Sequence, residues 1–476
     1  MKKRITACLT IPLACMFPII FIFLQNVGEV QLREFGQSAK IFLLMGIVVF
    51  LVNLFWMRSC PKAALISVTT IMILENFKFI ESAFNCVFVE MRYWHILACL
   101  LFLLVLGGAF VKEKCSQDLA EIIVFVICIV FSGLILVNLI FNVPAILRDV
   151  SREKNRTFDA EMVLTAENSP NIYWLTFDEY SSVSVMEKYY NYDSSNFIEK
   201  LEMLGFNISY SSKNSSHKSS TVFTNYCNLN YVVDDSFSEA AKAEIIKDGW
   251  LLKFLNSNQY SIRGYGRLNE MLGDNNPYVV YEESLQNSGS QTIGGQSPND
   301  LILSRSVFHP LFEKDRDYFS GAVLNTFDSL KNIRVEENPT LVFSYLVLPH
   351  EPFIFNADGS LNSSDNYYNW QEPSFYRNQY IFTSNEIIEV VSSVVEKDPN
   401  SVIILQSDHS ARAASDSQLY RNWISVSDMR SIFNSVYYKG EAFDIEGLSG
   451  VETLRKVYEA IFDIELPALL EVPYNE

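Results

Sequence analysis

The chain has 476 residues, 49% of them hydrophobic, and carries 37 Lys and Arg against 55 Asp and Glu, a formal net charge of -18. That length holds more than one domain. The acidic balance excludes nucleic acid as a partner, because such a partner needs a basic surface, and it is compatible with a domain that binds cations.

The apolar residues are crowded toward the N-terminus and resolve into membrane segments. Ile5–Leu24, Ile41–Met57, Trp94–Val111 and Leu119–Phe141 are apolar and reach, or nearly reach, the length that crosses a ~30 Å hydrocarbon core at 1.5 Å per residue. Ala63–Leu74 is shorter and is followed by Glu75 and Lys78; it reads as a span that continues past Leu74 with its polar residues turned toward other helices. Lys2, Lys3 and Arg4, then Arg58 and Lys62, then Lys112 and Lys114 fall on alternate sides of this series, which makes those positions cytoplasmic. Five spans place everything after them outside the cytoplasmic membrane, whereas four would place it inside. Pro12 and Pro18 interrupt the first run and more spans follow at once, so it reads as a retained helix and not a cleaved signal. Seven of the 8 Cys precede residue 130, which leaves Cys227 alone in the remainder and excludes a disulfide there.

The reading so far divides the chain into a transmembrane bundle at 1–142, a charged juxtamembrane linker at 143–168 and a second domain at 169–476. In that domain apolar strand-like runs alternate with helical ones. NIYWLTF (171–177), SIRGYG (261–266), PTLVFSYLVL (339–348), SVIILQ (401–406) and SIFNSVYY (431–438) read as strands. SSNFIEKLEMLGF, WLLKFLNSNQY, NQYIFTSNEIIEVVSSVVEK and VETLRKVYEAIFD read as helices. Continuous apolar strands separated by helices predict an α/β fold with a mostly parallel central sheet covered on both faces.

Ligands of such sheets gather at the carboxyl ends of the strands. Asp178 and Glu179 follow the first strand, His350 and Glu351 follow PTLVFSYLVLP, and Asp408 and His409 follow SVIILQS. Two of only 5 His thus stand at strand ends beside carboxylates. Carboxylate and imidazole donors suit one divalent ion, Zn2+ or Mn2+ in preference to Mg2+ or Ca2+.

Taken in order, PNIYWLTFDEY, LPHEPF and IILQSDHS resemble the alkaline phosphatase and sulfatase superfamily. More closely, they resemble its membrane-anchored branch of lipoteichoic acid synthases, phosphoethanolamine transferases and the sulfatase-like proteins of surface-polysaccharide loci. The resemblance covers essentially the whole chain and implies about five spans followed by an extracytoplasmic sulfatase-like domain. It implies a nucleophile in NSSHKSSTVFTNYCNLNYV, where Thr221 takes the matching place and Thr224 is the fallback. It implies one divalent metal held by Asp178, Asp408 and His409 with Thr221 as a further ligand, and His350 at the transferring phosphate or acting as acid and base. Glu179 is an alternative to Asp178, though period-two alternation sends the two to opposite faces. His217, four residues before Thr221, is a possible addition, and His309 a weaker one. Sulfatase maturation needs C-x-P-x-R or S-x-P-x-R, and Cys227 is followed by Asn-Leu-Asn. The implied activity is therefore transfer of a phospho-headgroup, phosphoglycerol or phosphoethanolamine, from a membrane phospholipid to a cell-surface glycan. An outward-facing phosphodiesterase, phosphatase or sulfuric-ester hydrolase would use the same residues. A non-catalytic sulfatase-like protein assisting polysaccharide assembly is the third reading. Where the superfamily has Gly after the Asp-His pair, this chain has Ser410, which puts the backbone approach there in question.

Overall fold

A computed structural model describes residues 2–25, 35–87, 91–152, 169–273, 275–282, 298–312, 316–336, 338–364, 370, 372–412 and 424–471. The chain forms two compact units, Met1–Glu153 with Ser290–Glu313, and Lys154–Gly289 with Lys314–Glu476. Ser290–Glu313, which lies midway along the stretch read as the second domain, thus belongs to the first unit. Most of the expected linker, 153–168, lies outside the described residues.

The first unit is helical: α1 (Lys2–Gln25), α2 (Gly36–Met57), α3 (Cys60–Glu75), α4 (Phe77–Val87), α5 (Tyr93–Lys114) and α6 (Gln117–Arg152). Among the described residues, α2, α5 and the Gln117–Phe141 part of α6 are long and apolar enough to cross a membrane; α3 and α4, bent by 67° at their junction, make a fourth if counted together. The apolar stretch Leu9–Gln25 of α1 is shorter than these. The expected five spans are therefore represented by three such helices, one bent pair and one shorter apolar helix. Small residues bring the helices together, as expected where apolar lipid cannot drive association. A Cβ on Gly46 would stand 2.3 Å from Cys15 Sγ, and one on Gly108 would stand 2.3 Å from the Trp56 ring. The α3–α4 break would leave backbone groups without partners. The segment 305–307 supplies them: Val307 N donates to Leu74 O at 2.7 Å, and Lys78 N donates to Arg305 O at 3.0 Å. Ser38 N also donates to the Asn299 side chain at 2.8 Å, which ties α2 to the same excursion.

The second unit is built on a seven-stranded sheet of order β2-β7-β6-β1-β5-β3-β4. Its strands are β1 (Ile172–Phe177), β2 (Asn207–Ser209), β3 (Ser261–Gly266), β4 (Val280–Tyr281), β5 (Thr340–Leu346), β6 (Val402–Ser407) and β7 (Asn434–Tyr438). β6, β1, β5, β3 and β4 run parallel, β7 runs against them, and β2 pairs antiparallel to β7 at the edge, so the sheet is mixed. β1, β5 and β6 are buried along their whole length, which is why they read as unbroken apolar runs and not as alternating ones. Successive β1 residues feed two cores: Tyr173, Leu175 and Phe177 on one face, Ile172 and Trp174 on the other. Trp174 stacks on its register partner Phe343 with ring centroids 4.1 Å apart. Helices α7 (Val183–Tyr190), α8 (Ser195–Met203) and α9 (Ser219–Cys227) follow β1, and α9 is buried from Thr221 to Cys227.

Candidate active site

Register alone brings the first two acids together. Phe177 pairs with both Leu346 and Ser407, so β1, β5 and β6 end level. One residue further on, Asp178 N donates to Leu346 O at 2.9 Å and Asp408 N to Phe177 O at 3.2 Å. The two carboxylates emerge side by side at the carboxyl edge of the sheet, both buried.

Each prospective ligand has one atom committed and one atom free. Asp408 Oδ1 accepts from the backbone N–H of His409 at 2.7 Å and of Glu179 at 3.2 Å. Tyr345 donates to Asp178 Oδ2 at 2.8 Å. His409 Nδ1 lies 2.7 Å from Ser410 O, so Nδ1 carries the proton and Nε2 presents its lone pair. The remaining atoms converge: His409 Nε2 is 3.7 Å from Asp178 Oδ1 and 3.6 Å from Asp408 Oδ2. Both of those oxygens are buried without a hydrogen-bond partner among the described residues.

The electrostatics fit a cation at that point. Burial pushes the Asp408 carboxyl well above the usual carboxylate range, and the adjacent Asp178 charge adds to it. Burial also works against charge on Asp178, but the net direction is downward, with the Arg412 guanidinium and the hydrogen bond from Tyr345 favouring the carboxylate. His409 is pushed down to about 3 by burial and by Arg412, so it is neutral, as a metal-ligating imidazole must be. Two buried carboxylate oxygens without a hydrogen-bond partner among the described residues and one neutral imidazole nitrogen make a suitable three-donor set for a divalent ion.

The hydroxyl that reaches this set belongs to Ser219 and not to Thr221. Ser219 Oγ is 3.4 Å from His409 Nε2 and also interacts with Asp408 and Tyr345. α9 begins at Ser219, so Ser219 stands at the open end of the helix, while Thr221 lies inside the first turn. The Thr221 hydroxyl donates to Asp235 at 2.9 Å and makes no hydrogen bond to Asp178, Asp408 or His409 among the described residues. Thr224 bonds back to Ser220 O at 2.7 Å, an ordinary intrahelical contact. Thr221, the expected nucleophile and further ligand, thus faces Asp235, and the hydroxyl beside His409 lies two residues before it, where the helix starts.

Glu179 and His350 form a neighbouring group. Glu179 is 1% exposed and adopts φ 57°, a left-handed turn that ends strand alternation and swings its carboxylate away from Asp178's partners. Its Oε1 accepts from Arg412 Nε at 2.6 Å and lies 3.9 Å from His350 Nε2. Burial works against charge on His350, yet Glu179, Asp178 and Glu351 raise its pKa to about 9. The direct contact points the other way, because Arg412 Nη2 lies 3.0 Å from His350 Nε2 and a guanidinium only donates. The contact decides the resting form, since a protonated Nε2 would set two donors and two like charges against each other. Nε2 therefore accepts from Arg412 and Nδ1 donates to Glu351 O at 2.7 Å. His217 is half-buried near the site, burial lowers its pKa, and its Nδ1 has no partner among the described residues. His309 belongs to the first unit, where it pairs with Glu81 at 3.1 Å.

Ser410 answers the doubt about the missing Gly. Its hydroxyl donates to Ser431 O and accepts from Ser182 N at 3.1 Å, so the side chain knits the loop and does not enter the metal set. Arg412, Ser219 and Tyr345 stand beside the candidate residues, and no sequence motif singled them out. The only available signal was for Ser219, the first residue of the apolar α9 pattern.

No protein-family model matches the sequence, and no curated protein matches it. The chain is similar to the solved lipooligosaccharide phosphoethanolamine transferase A of Neisseria meningitidis, an integral membrane protein, at 12% identity over 96% of this chain and 95% of that one, with a TM-score of 0.43. It is similar to the C-terminal periplasmic domain of EptC from Escherichia coli in complex with Zn, at 11% identity over 64% of this chain and 86% of that one, TM-score 0.41. It is also similar to the lipoteichoic acid synthase LtaP of Listeria monocytogenes, at 13% identity over 67% and 78%, TM-score 0.38.

Proposed function

We propose that this protein is a metal-dependent phosphotransferase. It moves a phospho-headgroup, phosphoglycerol or phosphoethanolamine, from a membrane phospholipid to a cell-surface glycan through a covalent phosphoserine at Ser219. One observation carries the reading: the free donor atoms of Asp178, Asp408 and His409 converge beside a hydroxyl at a helix start, 3.4 Å from His409 Nε2. A divalent ion held by those three residues would polarise a phosphoryl oxygen and ease loss of the nearby hydroxyl's proton.

The chain's own groups supply the rest. The open end of α9 offers unpaired backbone N–H groups to the phosphoryl oxygens, and its dipole favours their charge. Ser219 Oγ bonds to phosphorus as the bond from phosphorus to the glycerol oxygen breaks. The proton lost by Ser219 is balanced by the one the departing diacylglycerol takes up. In the second half a glycan hydroxyl makes the new bond to phosphorus as the bond from phosphorus to Ser219 Oγ breaks, and the proton the hydroxyl loses is balanced by the one Ser219 regains. Tyr345 holds Asp178 in position throughout.

The test is mass spectrometry of the purified full-length protein after incubation with phospholipid vesicles and Zn2+. A headgroup adduct is expected on the peptide at Ser219, absent from Ser219→Ala and retained in Thr221→Ala. An adduct on Thr221, or one that survives Ser219→Ala, refutes the assignment. Release of free headgroup at the same rate with and without glycan acceptor would make the enzyme a hydrolase.

A further inference from the structure

Beside the Asp178–Asp408–His409 set lies a second group of metal-ligand types. Glu179, His350 and Glu351 each bring one donor atom within 4.8 Å of the others. Arg412 is seated among them. Its Nε donates to Glu179 Oε1 at 2.6 Å and its Nη2 to His350 Nε2 at 3.0 Å, so it takes up two of the atoms a second ion would need. The guanidinium is permanently charged and offers five N–H groups in a planar fork. The other three N–H groups of Arg412 make no hydrogen bond among the described residues, and its charge acts on Asp178 and His409 of the first set. The seat is built for it: Glu179 is buried at a positive φ, and its Oε2 has no hydrogen-bond partner among the described residues.

We infer that Arg412 is a built-in cation standing in place of a second metal ion. The protein then binds one divalent ion per chain, and the free edge of the guanidinium holds the tetrahedral oxyanion that reacts at the first set. This rests on the metal reading of that set.

The test uses full-length protein in detergent, with Zn2+ content measured by elemental analysis and inorganic phosphate as the probe in calorimetry. Wild type is expected to hold one Zn2+ per chain, and Arg412→Ala two, because Glu179 Oε1 and His350 Nε2 are released beside Glu351. The double variant Arg412→Ala/Glu179→Gln removes both charges of the ion pair, which keeps the buried charge balanced. It should hold one Zn2+ and bind phosphate at least tenfold more weakly than wild type. Arg412→Lys should hold one Zn2+ with intermediate phosphate affinity. Two ions in wild type, one ion in Arg412→Ala, or undiminished phosphate affinity in the double variant overturns the inference and leaves the first metal set standing. A wild type that binds no ion overturns both readings.

Discussion

The carboxylate of Asp408 divides its oxygens between two tasks. Oδ1 is fixed by the N–H groups of His409 and Glu179, and Oδ2 is thereby aimed at His409 Nε2. Its value lies in that aim, so Asp408→Ala or His409→Ala should abolish Zn2+ retention while leaving the circular dichroism spectrum unchanged. Undiminished metal content in both would make the SDHS turn purely structural. Thr221→Ala should cost about 1 kcal/mol of stability for one lost hydrogen bond to Asp235, with metal content untouched. A different residue sets an acid limit. Burial opposes charge on Asp428, but hydrogen bonds from Lys188, Tyr189 and Ser425 prevail and lower its pKa to about 2. Unfolded, it titrates near the ordinary ~3.9. The unfolded state therefore takes up the proton first as pH falls, and the stabilisation is full above pH ~4 and lost on descent through about 2. Asp428→Asn should flatten the stability profile in that window and lower stability at neutral pH, where the wild-type contribution is full, by weakening the bonds from Lys188, Tyr189 and Ser425. A profile identical to wild type below pH 4 would remove Asp428 from the account.

At the scale of elements, the site depends on how α9 is pinned to the end of β6. Tyr226, on α9, donates to Ser407 O at 3.2 Å and accepts from Asn214 at 2.7 Å, and Asn214 also donates to Asp408 O at 2.8 Å. The C-terminal helix Gly450–Phe462 closes over this, started by a capping box between Ser449 and Glu452. Its first residue must be Gly, since a Cβ there would lie 2.1 Å from Tyr226 Oη. The Tyr226 side chain is fully buried and has nowhere to retreat. Gly450→Ala should cost about 1–3 kcal/mol by overpacking and, by displacing Tyr226, weaken Zn2+ binding as well. A thermal melt and metal content both equal to wild type would show that Tyr226 does not hold the loop. The helix start also separates the two candidate hydroxyls. Two residues along a helix turn ~200° about its axis, so Ser219 and Thr221 face nearly opposite ways, one to His409 and the other to Asp235.

For the whole molecule the central expectation is one of compartment. Five crossings with Lys and Arg at alternate ends would put the unit that carries Asp178, Asp408 and His409 outside the cytoplasmic membrane. A reporter active only in the cytoplasm, fused after Glu476, should be silent; activity would sink both the topology and the lipid-headgroup chemistry. The strands were legible because burial on both faces writes itself as unbroken apolar runs: β1, β3, β5 and β6 lie within a residue or two of their expected limits. Strand-end acids were legible for the same reason, since a parallel sheet collects them at one edge. The membrane segments could be read from length and hydropathy, but the 67° break after Glu75 could not, because its backbone partners come from residues 305–307, far along the chain. Antiparallel β7, the placement of Ser219 by His409 and of Thr221 by Asp235, and Arg412 between Glu179 and His350 were likewise decided only by tertiary structure. Each depends on where one element docks against another that is remote in sequence, and local pattern carries no record of that.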